Sequence, residues 1–342
     1  MSAPRDFYRV RVAEVISEAG DACSLVLDIS AELAAAFRYQ PGQFLTVRVP
    51  APGGGSVARC YSLSSSPHAG DRPTITVKRM AGGHASNWIA DHLEPGSLLD
   101  VLPPAGTFSP VSLDGDLLLL AAGSGITPVI SILKSALAAG RGRVVLIYAN
   151  RDERAVIFSP ELRRLSATAG AQLTIVHWLD SVQGPPTAGG IAALARPYAA
   201  YEAFVCGPDP FMATVRAGLA GLGVPARRVH VERFLSLAEN PFEARPDDGS
   251  GPAATLEVTL DGQTSLLPWP AGTRMLDLLI DQGLDPPYSC RQGICGACAC
   301  RLTGGQVEMA HNEVLEDEDL ADGYILACQA VPRTAQVAIT YS

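Results

Sequence analysis

The chain lacks the features that would send it to a membrane. No apolar run approaches the roughly 20 residues of a bilayer span, and Leu117–Ala122 is only strand length. The N-terminus, MSAPRDFYRV, has no charged-then-apolar signal pattern. A cytoplasmic location is therefore expected, so the 8 cysteines are not read as a disulfide framework. Lysine is absent from residues 253–342, where 4 Arg meet 12 Asp and Glu; that segment carries −8 of the net −9. Such a charge argues against nucleic acid as a partner, and its placement suits docking to a basic face on an electron acceptor. The acidic run EDEDLAD, residues 316–322, reads equally well as a solvated loop. No internal repeat or low-complexity tract stands out, and a chain of 342 residues calls for about two to three domains.

What is present divides into three parts. Up to residue 108, short runs such as FYRVRVAEVI, SLVLDI and QFLTVRV alternate apolar and polar between Gly–Pro punctuation. This pattern predicts an antiparallel β-barrel. From 109 to 237, the continuous apolar strands LLLLAAG, RVVLIYAN, LTIVHWL and AFVCGP alternate with helical stretches. That is the signature of a parallel α/β sheet buried on both faces. Residues 238–252, AENPFEARPDDGSGP, read as a linker; their Pro and Gly content permits motion. Residues 253–342 read as a hairpin, an amphipathic helix and a cysteine-rich loop.

That loop is SCRQGICGACAC. Cys290, Cys295 and Cys298 give C-x4-C-x2-C, and Cys328 follows after 29 further residues. This is the plant-type 2Fe–2S ligand spacing. Small residues between the ligands, Gly293, Gly296 and Ala297, let backbone N–H groups approach the sulfurs. A structural zinc site would more naturally show two C-x2-C pairs or Cys and His at finger spacing. Cys300 reads as a small core residue.

Two further motifs suit nucleotides. LLLLAAG runs into Gly123-Ser124-Gly125-Ile126-Thr127-Pro128 and then a helical pattern. The glycines permit a tight turn and close approach to a pyrophosphate. Thr127 is expected to cap the helix and Pro128 to take its first position, presenting free N–H groups to phosphate. Tyr148-Ala149-Asn150-Arg151-Asp152 and Cys206-Gly207-Pro208 end later strands, where open α/β sheets bind ligands. In the first part, Arg59-Cys60-Tyr61-Ser62 offers a cation for phosphate, a flat aromatic face and a hydroxyl, and Gly82-Gly83-His84-Ala85-Ser86-Asn87-Trp88 follows.

Together, RxYS, GG-x-x-SNW, GSGITP and CGP resemble the ferredoxin–NADP reductase superfamily over the whole chain, with a plant-type ferredoxin fused C-terminally. This architecture is that of reductase components of bacterial oxygenases. The stretches VKRMAGGHASNW, YANRDERAVIF, CGPDPFM and HVERF most resemble the branch serving 3-ketosteroid 9α-hydroxylation; phenylacetyl-CoA epoxygenase reductases are a close relative. The resemblance implies a multidomain fold: an antiparallel β-barrel flavin domain, an α/β nucleotide domain and a β-grasp ferredoxin domain. It implies FAD, with Arg59, Tyr61, Ser62, Val77, Lys78, Gly83, Ser86 and Asn87 around it. It implies Gly123, Gly125, Thr127, Cys206 and Gly207 at the nicotinamide dinucleotide, and Glu232 and Phe234 near the flavin. Cys290, Cys295, Cys298 and Cys328 would hold the cluster.

The implied activity is NADH:acceptor oxidoreduction, from NADH through FAD and the cluster to a separate terminal oxygenase. The chain has no Rieske C-x-H pair and no evident mononuclear iron triad, so it is not itself the oxygenase. Asp152 and Glu153 beside Arg151 and Arg154 favour NADH, since an acid there disfavours a 2′-phosphate and can bond ribose hydroxyls. A stand-alone diaphorase and a metal-binding regulatory module on an inactive flavin scaffold are the other readings. Oligomeric state is open at this level, and a monomer is compatible with it.

Overall fold

Alternating residues in the first hundred positions fold as six antiparallel strands. These are β1 (Tyr8–Glu18), β2 (Ala22–Asp28), β3 (Phe44–Pro50), β4 (Ser56–Ser62), β5 (Thr74–Lys78) and β6 (Leu98–Val101), in the order β4-β3-β6-β1-β2-β5. The open edges meet through a Leu63↔Ile75 bridge and a Ser64 N–H donated to the Thr74 carbonyl at 2.8 Å. The two ends of the sheet are thereby drawn together at one point, which makes it barrel-like, with β4 and β5 as its edge strands. Helix α1 (His84–His92) follows β5. The computed structural model describes residues 7–19, 21–237, 239–243 and 253–341. Most of the expected linker, at 238 and 244–252, lies outside the described residues.

The middle part is a parallel sheet in the order β11-β10-β7-β8-β9. Its strands are β7 (Leu117–Ala122), β8 (Val144–Asn150), β9 (Leu173–Leu179), β10 (Glu202–Cys206) and β11 (Val229–Glu232). Helices α2 (Ile126–Ala139), α3 (Ser159–Ala169), α4 (Asp180–Gln183), α5 (Ala188–Ala195) and α6 (Asp209–Gly221) connect them. β7 shows why an all-apolar run becomes a central strand. Leu117, Leu119 and Ala121 enter one core with α2, while Leu118, Leu120 and Ala122 enter another with α6. Each fully buried leucine contributes about 1.5–3 kcal/mol, so both faces need helices over them. After β7 the chain moves to β8 on one side and later to β10 on the other. The C-terminal ends of β7 and β10 therefore flank the topological switch point.

The barrel and parallel sheet form one compact unit, and the chain from Leu237 onward builds a second. There, β12 (Ala254–Leu260) and β13 (Gln263–Trp269) form the expected hairpin, with Leu260 opposite Gln263. Asp261 and Gly262 both take positive φ, 51° and 75°, as a two-residue type I′ turn requires. β14 (Ala299–Gly304), β16 (Tyr324–Leu326) and β18 (Gln336–Thr340) complete a mixed sheet in the order β13-β12-β18-β14-β16. β15 (Val307–Met309) pairs with β17 (Ala330–Pro332). Helix α7 (Met275–Asp281) buries Met275, Leu276, Leu278 and Leu279 against that sheet. The acidic run is a helix, α8 (Asp317–Ala321), rather than a loop. Glu316 and Asp319 cap it reciprocally, so two of its acids bond its own backbone. Among the described residues no helix is long and apolar enough to cross a membrane.

Candidate functional site

β4 carries three of the expected flavin residues. Arg59 and Tyr61 are partly buried and Ser62 is buried, with Arg59 donating to the Ala58 carbonyl at 2.7 Å. Burial raises the Tyr61 hydroxyl pKa well above its ordinary value, so it stays neutral. Barrel closure brings β4 beside β5, which supplies buried Val77 and half-buried Lys78. Gly83 takes the N-cap position of α1 without a side-chain cap. A Cβ there would fall 2.9 Å from the Met80 Cβ. The Ser86 hydroxyl accepts from the Met80 N–H at 3.1 Å, and the Asn87 amide donates to the Gly83 and Met80 carbonyls at 2.5 and 3.0 Å. The turn is thus tied to the helix, while among the described residues no side chain caps its first N–H groups, an arrangement that fits an anionic pyrophosphate.

The GSG turn is a 3-10 segment, Gly123–Gly125, with α2 beginning at Ile126. Thr127 does not cap the helix as expected. Its hydroxyl donates to the Ser124 carbonyl at 3.0 Å, because the helix starts two residues earlier than the motif suggests. Pro128 consequently falls at the third helical position, where its missing N–H still costs no intrahelical bond. Gly123 has φ +53°, and the nearest atom to a Cβ there is Lys78 Nζ at 3.7 Å. Lys78 therefore brings barrel charge to the nucleotide turn; burial, then Arg151, lowers its pKa. The hydroxyl of Tyr148, which opens the motif at the end of β8, donates to the Gly123 carbonyl at 3.0 Å.

Gly125 and Gly207 meet across the switch point. A Cβ on Gly125 would fall 2.2 Å from the Cys206 carbonyl oxygen, and one on Gly207 2.8 Å from the Phe211 ring. Cys206 is 1% exposed and pairs in register with Glu232 on β11. Burial, reinforced by Glu232, holds its thiol pKa well above the ordinary value. Burial also pushes Glu232 up to about 8, so it is largely protonated at neutral pH. Phe234 lies beyond β11 and is exposed.

Of the acids near β8, Asp152 Oδ1 accepts from the Arg154 and Ala155 N–H groups at 2.9 and 3.2 Å. That oxygen is committed to a local cap. Asp180, which sequence reasoning did not single out, stands just past β9. Its Oδ1 is buried without a hydrogen-bond partner among the described residues. An orphaned carboxylate oxygen at a parallel strand end fits a ribose hydroxyl.

In the second unit, Cys290, Cys295, Cys298 and Cys328 are all buried and none forms a disulfide. They associate as two pairs, Cys290 with Cys295 and Cys298 with Cys328. In each pair one sulfur accepts from the other, which lowers the pKa of Cys290 and of Cys328. Backbone N–H groups also face them, including Gln292 to Cys290 at 3.3 Å, Gly293 to Cys328 and Ala297 to Cys295. Gly293 makes the loop possible: its φ is +78°, and a Cβ would fall 2.5 Å from the His311 carbonyl oxygen. Two thiol pairs ringed by N–H donors fit a binuclear cluster that takes two thiolates per iron.

A barrel-like sheet with an uncapped helix, a glycine-lined switch point and this thiol loop define an iron–sulfur oxidoreductase that binds FAD and a nicotinamide dinucleotide. The comparisons agree. An oxidoreductase FAD-binding domain matches residues 9–109, an oxidoreductase NAD-binding domain 119–217, and a 2Fe-2S iron-sulfur cluster binding domain 258–333. The ferredoxin reductase component of 3-ketosteroid-9-alpha-monooxygenase from Mycolicibacterium smegmatis is 55% identical over 340 residues, covering 97% of this chain and 96% of that one. A subunit of the 1,2-phenylacetyl-CoA epoxidase from Escherichia coli is 32% identical, covering 98% of each chain. The solved structure of phthalate dioxygenase reductase superimposes with a TM-score of 0.57 at 25% identity, covering 98% of each chain. The chain belongs to the family of three-cofactor ferredoxin reductase components of oxygenases.

Proposed function

We propose that this protein is the reductase component of a 3-ketosteroid 9α-hydroxylating system, supplying electrons from NADH to a Rieske-type terminal oxygenase. The observation that carries this reading is the 55% identity to such a component across almost the whole of both chains. The phenylacetyl-CoA epoxidase relative, at 32%, is much more distant over the same span.

FAD, when bound, takes two electrons together from a nicotinamide and passes them on singly, as a one-electron iron–sulfur cluster requires. The chain's own residues supply position and electrostatics. Arg59, Gly83, Ser86 and Asn87 would hold the flavin nucleotide, with neutral Tyr61 against its ring and Ser62 bonding a ring nitrogen. Val77 and Lys78 would line the same site from β5. Gly123, Gly125 and Thr127 would admit the dinucleotide, and Cys206, Gly207 and protonated Glu232 would floor the nicotinamide pocket. Phe234 would cover the flavin from beyond β11. Asp180, with its free oxygen, would favour NADH by bonding the ribose. Cys290, Cys295, Cys298 and Cys328 would hold the cluster from which the oxygenase is reduced. In this organisation residues 1–108, 109–237 and 253–342 carry one cofactor site each, with 238–252 as the linker.

Reconstitution tests the reading. The purified protein is combined with NADH and either a 3-ketosteroid 9α-hydroxylase oxygenase or a phenylacetyl-CoA epoxidase oxygenase. Product from the first pairing alone supports the proposal, and product from the second alone replaces it. Dye reduction with neither pairing active makes the protein a diaphorase.

A further inference from the structure

Gln329 follows the fourth cysteine directly, is 3% exposed, and touches three separate segments. Its Nε2 donates to the Arg291 carbonyl at 3.0 Å, inside the cysteine loop, and to Cys328 Sγ at 3.5 Å. Its Oε1 accepts from Arg274 Nη1 at 3.1 Å, and the same nitrogen donates to the Cys328 carbonyl at 3.1 Å. Arg274 is the residue at the N-cap of α7, and Asp277 in the first turn of that helix ion-pairs with Arg291. Gly293 leaves room for the glutamine stem, since a Cβ there would fall 3.0 Å from Gln329 Cγ.

The direction of this amide is chemically fixed. A guanidinium only donates, and a carbonyl oxygen and a thiolate only accept. Only one orientation of the carboxamide satisfies Arg274, Arg291 and Cys328 together, with the NH2 toward the sulfur. Flipping it would set two donors against each other and leave the sulfur facing an oxygen.

Resting on the assignment of the four cysteines as cluster ligands, we propose that Gln329, oriented by Arg274, is a positioning residue that tunes the reduction potential of the cluster. A reduced cluster carries one more negative charge than an oxidised one, and part of that charge falls on the ligand sulfurs. An N–H donor aimed at Cys328 therefore stabilises the reduced state more than the oxidised state. The buried setting keeps that donor from being replaced by water. Arg274 adds a positive charge behind the amide and fixes its direction, so the two residues act as one device.

The test uses the full-length holoenzyme. Iron and acid-labile sulfide are assayed first, which checks the cysteine assignment independently. The cluster potential is then measured by spectroelectrochemistry in wild type, Gln329→Met, Arg274→Met and the double variant. The expected result is a loaded cluster that is harder to reduce in both single variants. A shift of about tenfold in the one-electron equilibrium constant corresponds to about 59 mV. The double variant is expected to shift at least as far as Gln329→Met, because it loses both the amide donor and the Arg274 charge behind it. Gln329→Glu, which keeps the shape but removes the donor, is expected to shift in the same direction. Fully loaded single variants with unchanged potential would overturn the proposal. So would loss of iron from both single variants with the remaining cluster at the wild-type potential, since Gln329 would then serve loop folding alone.

Discussion

The carbonyl oxygen of Cys206 lies where residue 125 can have no side chain: a Cβ there would come within 2.2 Å of it. This contact joins the turn after β7 to the end of β10 and shapes the floor of the switch-point crevice. Glu232 pairs in register with Cys206 on the neighbouring strand, β11.

Gly125→Ala is therefore expected to push the two strand ends apart. Overpacking of this kind costs about 1–3 kcal/mol, and here the displaced atoms are those that would meet the nicotinamide. The measurement is NADH affinity alongside thermal unfolding. A weakened affinity with a lowered midpoint is expected. Unchanged values in both would show that the turn relaxes freely and does not shape the pocket.

Cys298→Ser and Cys328→Ser each remove one member of a buried thiol pair. Each is expected to abolish or greatly reduce the cluster absorbance while NADH-dependent dye reduction through the flavin persists. Cys300→Ser makes the contrast, because Cys300 is buried on β14 and is not among the four assigned ligands. Its cluster absorbance is expected to survive. A lost cluster in Cys300→Ser with a retained one in Cys298→Ser would reverse the ligand assignment.

Asp180 offers the coenzyme test. Removing its carboxylate, one oxygen of which has no partner among the described residues, takes away in Asp180→Ala both a ribose acceptor and a repulsion toward a 2′-phosphate. The ratio of kcat/KM for NADH over NADPH is expected to fall by about tenfold, the size of one lost polar discrimination. An unchanged ratio would move coenzyme choice elsewhere, with Arg151 and Arg154 the next positions to vary.

Glu232 gives a pH dependence. Its folded pKa of about 8 lies above the ordinary 4.5, so between those values the folded protein holds a proton that the unfolded chain releases. Stability contributed by this group is present below the lower value and is lost as pH rises through the higher one. Glu232→Gln cannot ionise and is expected to flatten that part of the decline. Unfolding midpoints of the two proteins, compared from pH 5 to about pH 9, are expected to diverge in favour of the variant. Parallel curves would mean that Glu232 ionises normally in the folded protein.

The parts of this molecule that were legible in the sequence are those written in short-range spacing. Cys290, Cys295 and Cys298 sit in one loop whose geometry is local, and LLLLAA announces a strand buried on both faces. Asp261-Gly262 gives its turn directly. What the sequence hid depends on pairings across long separations. Barrel closure through Leu63 and Ile75, the Tyr148 hydroxyl on the Gly123 carbonyl, and the reach of Lys78 to that turn have no signature in either partner's neighbourhood. Asp152 and Asp180 show the difference well. Both are acids at strand ends, but the local N–H groups of Arg154 and Ala155 engage the first and leave an oxygen of the second free. The Thr127 cap failed for a related reason: a 3-10 turn starts the helix early, and the hydroxyl then finds the Ser124 carbonyl instead.

One chain carries electrons from a nicotinamide through a flavin to an iron–sulfur cluster. The most direct test is an anaerobic titration of the purified holoenzyme with NADH and, separately, NADPH, following the visible spectrum. The expected result is joint bleaching of the flavin and cluster bands, rapid with NADH and slow with NADPH. Flavin bleaching with the cluster bands unchanged or absent would contradict one-electron delivery and the four-cysteine assignment behind it.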